Sequence, residues 1–119
     1  MAPMINLPNQ LLFESLLRPR NQTEDDGRIY DPYVVVCFTA SWCGPCQKLN
    51  KDYIVSRTQG VTWYKCDVDE NPDTIGYCGL SSIPSFCLLK NGVYQGNFSQ
   101  VRGEESVLQW LASKGVSIA

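Results

Sequence analysis

The sequence predicts an α/β fold in which a mixed sheet of five strands is flanked by four helices. Strand-like and helix-like segments alternate along most of the chain, which is typical of parallel strands joined by helices. Asn91-Gly92 lies between two short strand-like runs and is the strongest hairpin signal, so the sheet also needs an antiparallel pair. With 119 residues the chain can bury one core, and we expect a single domain over residues 1–119.

The first half of the chain is predicted as strand, helix, long loop and strand. Residues 4–7 are a weak strand candidate, and Asn9 is positioned to cap a short helix whose apolar residues follow at helical spacing. Residues 18–32 are rich in Pro, Asn, Asp and Gly, which predicts an extended surface loop. Residues 33–39 are almost all β-branched or aromatic, as in a central strand buried on both faces.

The second half continues with a helix over residues 43–57 and a strand over residues 61–68. Asn71 and Pro72 are expected to cap and begin a short helix that closes near Gly79. Two hairpin strands, residues 85–90 and 93–98, come next. A final amphipathic helix is predicted over residues 104–114, with Val107, Leu108 and Leu111 facing inward and Gly115 ending it.

Charge and hydropathy narrow the class of partner. A net charge of −2, a pI near 5.0 and the lack of a Lys/Arg run make nucleic acid an unexpected partner. The apolar runs are too short to span a bilayer, which takes roughly 20 residues, so no membrane association is expected. The first eight residues lack the basic start and apolar run of a secretory signal, which favours the cytoplasm.

Six cysteines in such a chain indicate a disulfide framework, a metal site or redox chemistry. Only Cys43 and Cys46 have Cys-x-x-Cys spacing, and the chain has no histidine. A structural zinc site usually draws on two close ligand pairs, so neither a metal nor another cofactor is expected. Half of a metal site and a chance pattern are the alternatives that this spacing leaves open.

Cys43 is predicted to be the attacking thiol and Cys46 the resolving thiol. A thiol attacks a disulfide only as the thiolate, and the unpaired amides and dipole of a helix N-terminus favour that anion. Cys46, one turn further on, can attack the mixed disulfide at Cys43. Pro45 suits the first helical turn because it needs no amide hydrogen there, and Trp42 is expected to be partly exposed.

Five consecutive residues around this cysteine pair resemble the active-site motif of the thioredoxin family at every position. They are Trp42, Cys43, Gly44, Pro45 and Cys46. Ile83-Pro84 resembles the cis-proline loop of the family, which implies that Ser82, Ile83 and Pro84 bind substrate; an ordinary turn is the alternative. Residues 65–72 and 90–92 resemble the third strand with its turn and the hairpin of the thioredoxin fold.

The resemblance implies a protein-disulfide reductase that works by dithiol-disulfide exchange through a mixed disulfide. It implies disulfide-containing protein substrates, regeneration by a separate thioredoxin reductase, a monomeric state, and a role in electron transport and cell redox homeostasis. A thioredoxin-fold module that binds one partner, with weak or dedicated redox activity, is the alternative. An oxidase or isomerase would need a less reducing spacer and an oxidising compartment.

Three positions depart from the family. Cys37 stands where the family has a buried aspartate that helps to move the proton of the resolving thiol, while Lys65 matches the lysine paired with it. The pair Lys65 and Cys37 therefore implies slower resolution or a substitute water or carboxylate, although core packing alone also explains Cys37. Lys51 replaces a helix-kinking proline, which predicts a straighter active-site helix, and Gln100 replaces a glycine, which predicts a narrower partner range.

Cys66, Cys78 and Cys87 are not needed for the exchange reaction. Burial is the expected role of all three, and regulatory oxidation of Cys78 is the alternative.

Overall fold

A computed structural model describes residues 4–19 and 27–119 of the chain. Across these two stretches the protein has seven strands and five helices. In chain order these are β1 (Ile5–Asn6), α1 (Gln10–Ser15), β2 (Tyr33–Thr39), α2 (Gly44–Lys48), α3 (Lys51–Arg57), β3 (Thr58–Gln59), β4 (Val61–Asp67), α4 (Pro72–Tyr77), β5 (Ser85–Lys90), β6 (Val93–Phe98), α5 (Glu104–Ser113) and β7 (Ser117–Ile118).

The main sheet has five strands in the order β1-β4-β2-β5-β6. The β1/β4 and β2/β4 pairs are parallel, whereas β2/β5 and β5/β6 are antiparallel, so the predicted mixed sheet is confirmed. Strand β2 lies at its centre, and six of its seven residues are buried. Its continuous apolar pattern reflects helices packed on both faces.

Two apolar layers cover the two faces of this sheet. Helices α3 and α5 pack on one face around Val35, Trp63 and Leu108. Helices α1 and α4 pack on the other, around Phe13 and Phe38. Helix α5 buries Val107, Leu108 and Leu111, as the sequence predicts. The carboxyl ends of β2 and β4 are left at one edge, where the cysteine pair follows β2.

The β5–β6 hairpin turn holds the two described ends of the long loop. Asn91 and Gly92 have φ values of 50° and 80°, as the Asn-Gly signal predicts. Arg18 N donates to Gly92 O (2.8 Å), and Asn91 N donates to Pro32 O (3.1 Å). A Cβ atom at Gly92 would lie 2.6 Å from the Tyr30 ring, so glycine is required there. The described parts of the loop, residues 18–19 and 27–32, contain neither helix nor strand, and its residues 20–26 lie outside the described part of the chain.

The expectation of four helices with a straight active-site helix is wrong, because residues 43–57 form two helices. Leu49 is extended (ψ 124°), and the side chain of Asn50 begins a new helix by accepting from Tyr53 N. The backbone groups freed by the break still have partners. Asn50 N donates to Glu104 Oε2 (3.0 Å), and Lys51 Nζ donates to Cys46 O (2.6 Å). The break therefore needs no proline, because side chains satisfy the hydrogen bonds it removes.

Two smaller expectations are also corrected, and one further feature is not predicted by the sequence. The side chain of Asn71 does not cap α4, because its amide instead donates to Thr74 Oγ1 (2.8 Å) and Leu7 O (3.4 Å). Strand β1 is shorter than predicted, at two residues. A second, two-stranded sheet joins β3 to β7 after α5 ends, which the sequence patterns do not indicate. Within the described residues, no helix is long and apolar enough to cross a membrane.

Candidate active site

Cys43 and Cys46 lie at the start of α2, directly after the central strand, and are joined by a disulfide bond. Their Cα atoms are 5.2 Å apart. Cys43 is the N-cap of α2, and its sulfur accepts a hydrogen bond from Cys46 N (3.2 Å). Cys43 keeps 5% of its surface exposed and Cys46 none, so only the first sulfur is near solvent. The structure is therefore that of the oxidised state.

The turn that carries the two cysteines is fixed by contacts to Ala40. Cys43 N donates to Ala40 O (3.2 Å), and Gln47 Nε2 donates to the same oxygen (2.9 Å). Gly44 and Pro45 form the exposed first residues of α2, where proline costs no hydrogen bond. The sequence thus places the cysteine pair on a rigid turn between a buried strand and a short helix.

Trp42 forms one wall beside the disulfide. Its side chain is 67% exposed, as the sequence predicts, and Nε1 donates to Asp69 Oδ2 (2.7 Å). Asp69 follows β4, and its own amide donates to Asp67 Oδ1 (2.9 Å). Sequence reasoning missed Asp69, although it lies in the segment 65–72 that resembles the turn after the third strand.

The loop before β5 forms the opposite wall. The Ile83-Pro84 peptide bond is cis, and Ile83 packs against the cluster of Ala40, Cys43 and Cys46. Ser82 is exposed, and Pro84 is half-buried beside it. A shallow groove of about 270 Å³ runs between the two walls and is lined by Trp42, Val68, Pro72, Ile75, Leu80, Ser81, Ser82 and Ile83. The structure thus brings Ser82 and Ile83 to the face that carries Trp42.

Cys37 and Lys65 are register partners in the neighbouring strands β2 and β4. Cys37 is fully buried, and burial raises the pKa of its thiol to about 12, only partly offset by the positive charges of Lys51 and Lys65. A neutral thiol of this kind is a poor proton acceptor. Asp67, the register partner of Thr39, lines a cleft of about 290 Å³ together with Lys51 and Lys65 and supplies a carboxylate there.

Lys51 contacts the active-site turn in a way that the sequence did not reveal. Its side chain is half-buried, and its ammonium group donates to the carbonyl oxygen of Cys46 (2.6 Å). The only sequence signal was the replacement of proline, which predicted a change of helix shape and not a cation at the cysteine pair. Gln100 lies exposed between β6 and α5, and its effect on the partner range stays a prediction.

Comparisons with known proteins agree with this geometry. The profile of the family described as Thioredoxin matches residues 21–113. A thioredoxin of Rickettsia conorii is 40% identical over 81 residues, which cover 66% of this chain and 77% of that protein. Mitochondrial thioredoxin-3 of Saccharomyces cerevisiae is 32% identical over 93 residues, which cover 76% and 73%. The oxidised crystal structure of mitochondrial thioredoxin 3 from this yeast has a TM-score of 0.70 at 26% identity, with 92% and 94% of the chains covered.

Proposed function

This chain belongs to the thioredoxin family and is a thiol-disulfide oxidoreductase, and we propose that it reduces the disulfides of other proteins with Cys43 as attacking and Cys46 as resolving thiol. The observation that carries the proposal is the disulfide between these two residues at the first turn of α2. Reduction of a substrate disulfide oxidises the two thiols of this chain to that bond. A donor of two electrons must then reduce the bond again before the next cycle.

In the first step, the reduced Cys43 thiolate attacks one sulfur of a substrate disulfide. A mixed disulfide forms, and the second substrate sulfur leaves as a thiolate that takes a proton from water. Support for Cys43 in this role comes from its N-cap position and from the hydrogen bond that Cys46 N donates to its sulfur. Both features stabilise a thiolate at Cys43 relative to a cysteine that has neither a helix N-terminus nor an amide donor beside it.

In the second step, Cys46 attacks the Cys43 sulfur, restores the intramolecular disulfide and releases the substrate as a dithiol. The buried Cys46 thiol must lose its proton for this attack. Cys37 does not accept the proton, because burial raises the pKa of its thiol to about 12. We assign the acceptor role to water in the cleft that Asp67 lines, with Lys51 favouring the Cys46 thiolate from its hydrogen bond to Cys46 O.

Ser82, Ile83 and Pro84 are the proposed substrate-binding residues, together with Trp42. The groove between Trp42 and Ile83 is shallow and largely apolar, which suits an extended peptide better than a small polar molecule. Ile83 touches the cysteine cluster, so a peptide held in the groove presents its sulfur to Cys43.

Further parts of the proposal concern the cellular setting. A separate thioredoxin reductase supplies the electrons, so the chain carries electrons between that enzyme and its substrates and contributes to cell redox homeostasis. We propose that the chain acts in the cytoplasm as a monomer of one domain over residues 1–119. Fractionation of cells followed by immunoblotting tests the location, and sedimentation equilibrium tests the monomeric state.

The deciding experiment is the reduction of insulin disulfides by dithiothreitol, followed as turbidity. We expect the wild-type chain to accelerate precipitation, the Cys43→Ser variant to match the dithiothreitol blank, and the matched control Cys66→Ala to behave as the wild type. A wild-type chain that does not exceed the blank contradicts a general reductase and favours the module that binds one dedicated partner.

A further inference from the structure

A second pair of cysteines lies in contact on the face of the sheet that α1 and α4 cover. Cys78 follows the last residue of α4, and Cys87 is the third residue of β5. Both belong to the same buried cluster, and the pKa of each thiol is shifted by its interaction with the other. The two thiols are thus neighbours at the junction between helix and sheet.

Hydrogen bonds from β6 hold Cys78 in place over the sheet. Asn97, the register partner of Cys87, donates from Nδ2 to Cys78 O (2.7 Å). Tyr94 Oη donates to the same carbonyl oxygen (3.3 Å). Because the strand that carries these donors is paired with the strand of Cys87, the spacing between the two cysteines is set by the sheet itself.

The two thiols differ in access to solvent. Cys87 is fully buried, whereas 7% of Cys78 is exposed. Cys78 lines a cleft of about 580 Å³, with Arg18 and Tyr94 among the other lining residues. A small oxidant that enters this cleft meets Cys78 first, and Cys87 lies behind it.

The pKa shifts of the two thiols also favour reaction at Cys78 before Cys87. The interaction with Cys87 lowers the pKa of the Cys78 thiol against the opposing effect of burial. The same contact and burial raise the pKa of Cys87 well above its ordinary value. Cys78 is therefore the thiol that ionises first and can act as the nucleophile.

We propose that Cys78 and Cys87 form a second redox site, which reduces a small hydroperoxide and is left as a Cys78–Cys87 disulfide. The Cys78 thiolate attacks the terminal oxygen of the hydroperoxide, whose O–O bond breaks to give Cys78 sulfenic acid and, with a proton, water or an alcohol. The Cys87 sulfur then attacks the Cys78 sulfur and expels the hydroxyl group, which leaves as water with the Cys87 proton. The two thiols lose two electrons in total, and the hydroperoxide gains them.

The second disulfide encloses the proposed substrate loop. Residues 79–86, between the two cysteines, include Ser82, Ile83 and Pro84. Closing this segment by a covalent bond restrains the loop that forms one wall of the active-site groove. A rise in hydroperoxide would thereby increase the fraction of molecules in which the substrate loop is restrained.

The test uses the full chain with both active-site cysteines replaced, Cys43→Ser and Cys46→Ser, so that it is independent of disulfide reductase activity. The reduced variant is treated with hydrogen peroxide, and its disulfides are mapped by mass spectrometry of non-reduced peptides. We expect a Cys78–Cys87 link that dithiothreitol reverses. Absence of this link after peroxide treatment, in this variant and in the wild-type chain alike, overturns the proposal.

Two further variants in the same background identify the roles. With Cys87→Ala, we expect sulfenic acid to persist at Cys78 and to react with dimedone, a reagent specific for that acid. With the matched control Cys66→Ala, we expect the link to form at the rate of the parent, and circular dichroism verifies that each variant is folded. A link that depends on Cys66, or dimedone labelling at Cys87 instead of Cys78, contradicts the assignment.

Discussion

The two cysteine pairs of this protein occupy opposite ends of helices. Cys43 precedes α2, where the amide of Cys46 donates to its sulfur. Cys78 follows α4, where its own amide already donates to Thr74 O and the helix end presents carbonyl oxygens. A helix start stabilises an anion and a helix end opposes one. The comparison teaches that neighbouring side chains must stabilise a thiolate at Cys78 against the effect of the helix end, whereas the backbone itself stabilises a thiolate at Cys43.

Exposure does not distinguish the two pairs, since Cys43 and Cys78 are 5% and 7% exposed. Their surroundings do. Cys43 adjoins an open groove between Trp42 and Ile83 that fits a peptide, whereas Cys78 lies in a recess between α4 and the β5–β6 hairpin. We therefore expect protein disulfides to react at the first pair and small oxidants to react at the second.

The largest expected effect separates the pairs by their resolving thiols. Cys46→Ser removes the group that releases the mixed disulfide, so we expect insulin reduction to fall by about a thousandfold, with the substrate held covalently on Cys43. Cys87→Ser leaves that step intact, and we expect a change below about twofold. Turbidity and non-reducing gels measure both. A large loss of insulin reduction in Cys87→Ser would contradict the separate roles of the two pairs.

The second prediction concerns the alkaline stability that buried thiols confer. Burial raises the pKa of Cys37 from 9.0 to about 12, so between these values the unfolded chain releases a proton that the folded chain keeps. The stability from this thiol is complete below pH 9 and is lost as the pH rises toward 12, at about 1.4 kcal/mol per pH unit. We expect urea unfolding from pH 8 to 11 to show a shallower loss in Cys37→Ala than in the wild type. Equal slopes contradict this account.

The third prediction concerns Lys51 as a positioning residue. Lys51→Met removes the ammonium group bonded to Cys46 O, and with it a cation that favours the Cys46 thiolate. We expect insulin reduction at pH 7 to fall by about fivefold and its pH profile to move to higher pH. Lys51→Arg keeps the charge and is expected to retain most of the activity. A loss of thermal stability with an unmoved pH profile indicates a role in packing only.

The smallest expected effect is at the second pair. Tyr94→Phe removes one of the two hydrogen bonds that hold the backbone of Cys78 over the sheet, so we expect peroxide to form the Cys78–Cys87 link about two- to threefold more slowly. Insulin reduction by the same variant is expected to equal that of the wild type. An unchanged rate of link formation shows that Asn97 alone holds Cys78 in place.

Local signals in the sequence predict most of the sheet and the last helix correctly. The apolar run of β2, the Asn91-Gly92 turn and the inward residues of α5 each depend on neighbours in the chain. The break between α2 and α3 does not depend on neighbouring residues alone. Its freed amide is satisfied by Glu104, 54 positions away, and no pattern near Asn50 indicates that partner.

The two cysteine pairs differ in the same respect. Cys43 and Cys46 share one turn, so their spacing alone predicts that they meet. Cys78 and Cys87 are neighbours only because side chains of β6 hold the end of α4 over the sheet, and that arrangement follows from the pairing of β5 with β6. The sequence showed six cysteines and one pair, and the second pair became visible only in three dimensions.

The hairpin turn at Asn91 and Gly92 offers a practical site for protein engineering. Because it binds Arg18 on one side and Pro32 on the other, it closes the base of the intervening segment independently of that segment's length. Lengthening a flexible segment whose ends are already fixed has a small entropic cost, about 0.6 kcal/mol for each doubling of its length. An affinity tag or reporter peptide inserted within residues 20–26 should therefore leave the redox chemistry intact, provided that Gly92 is kept.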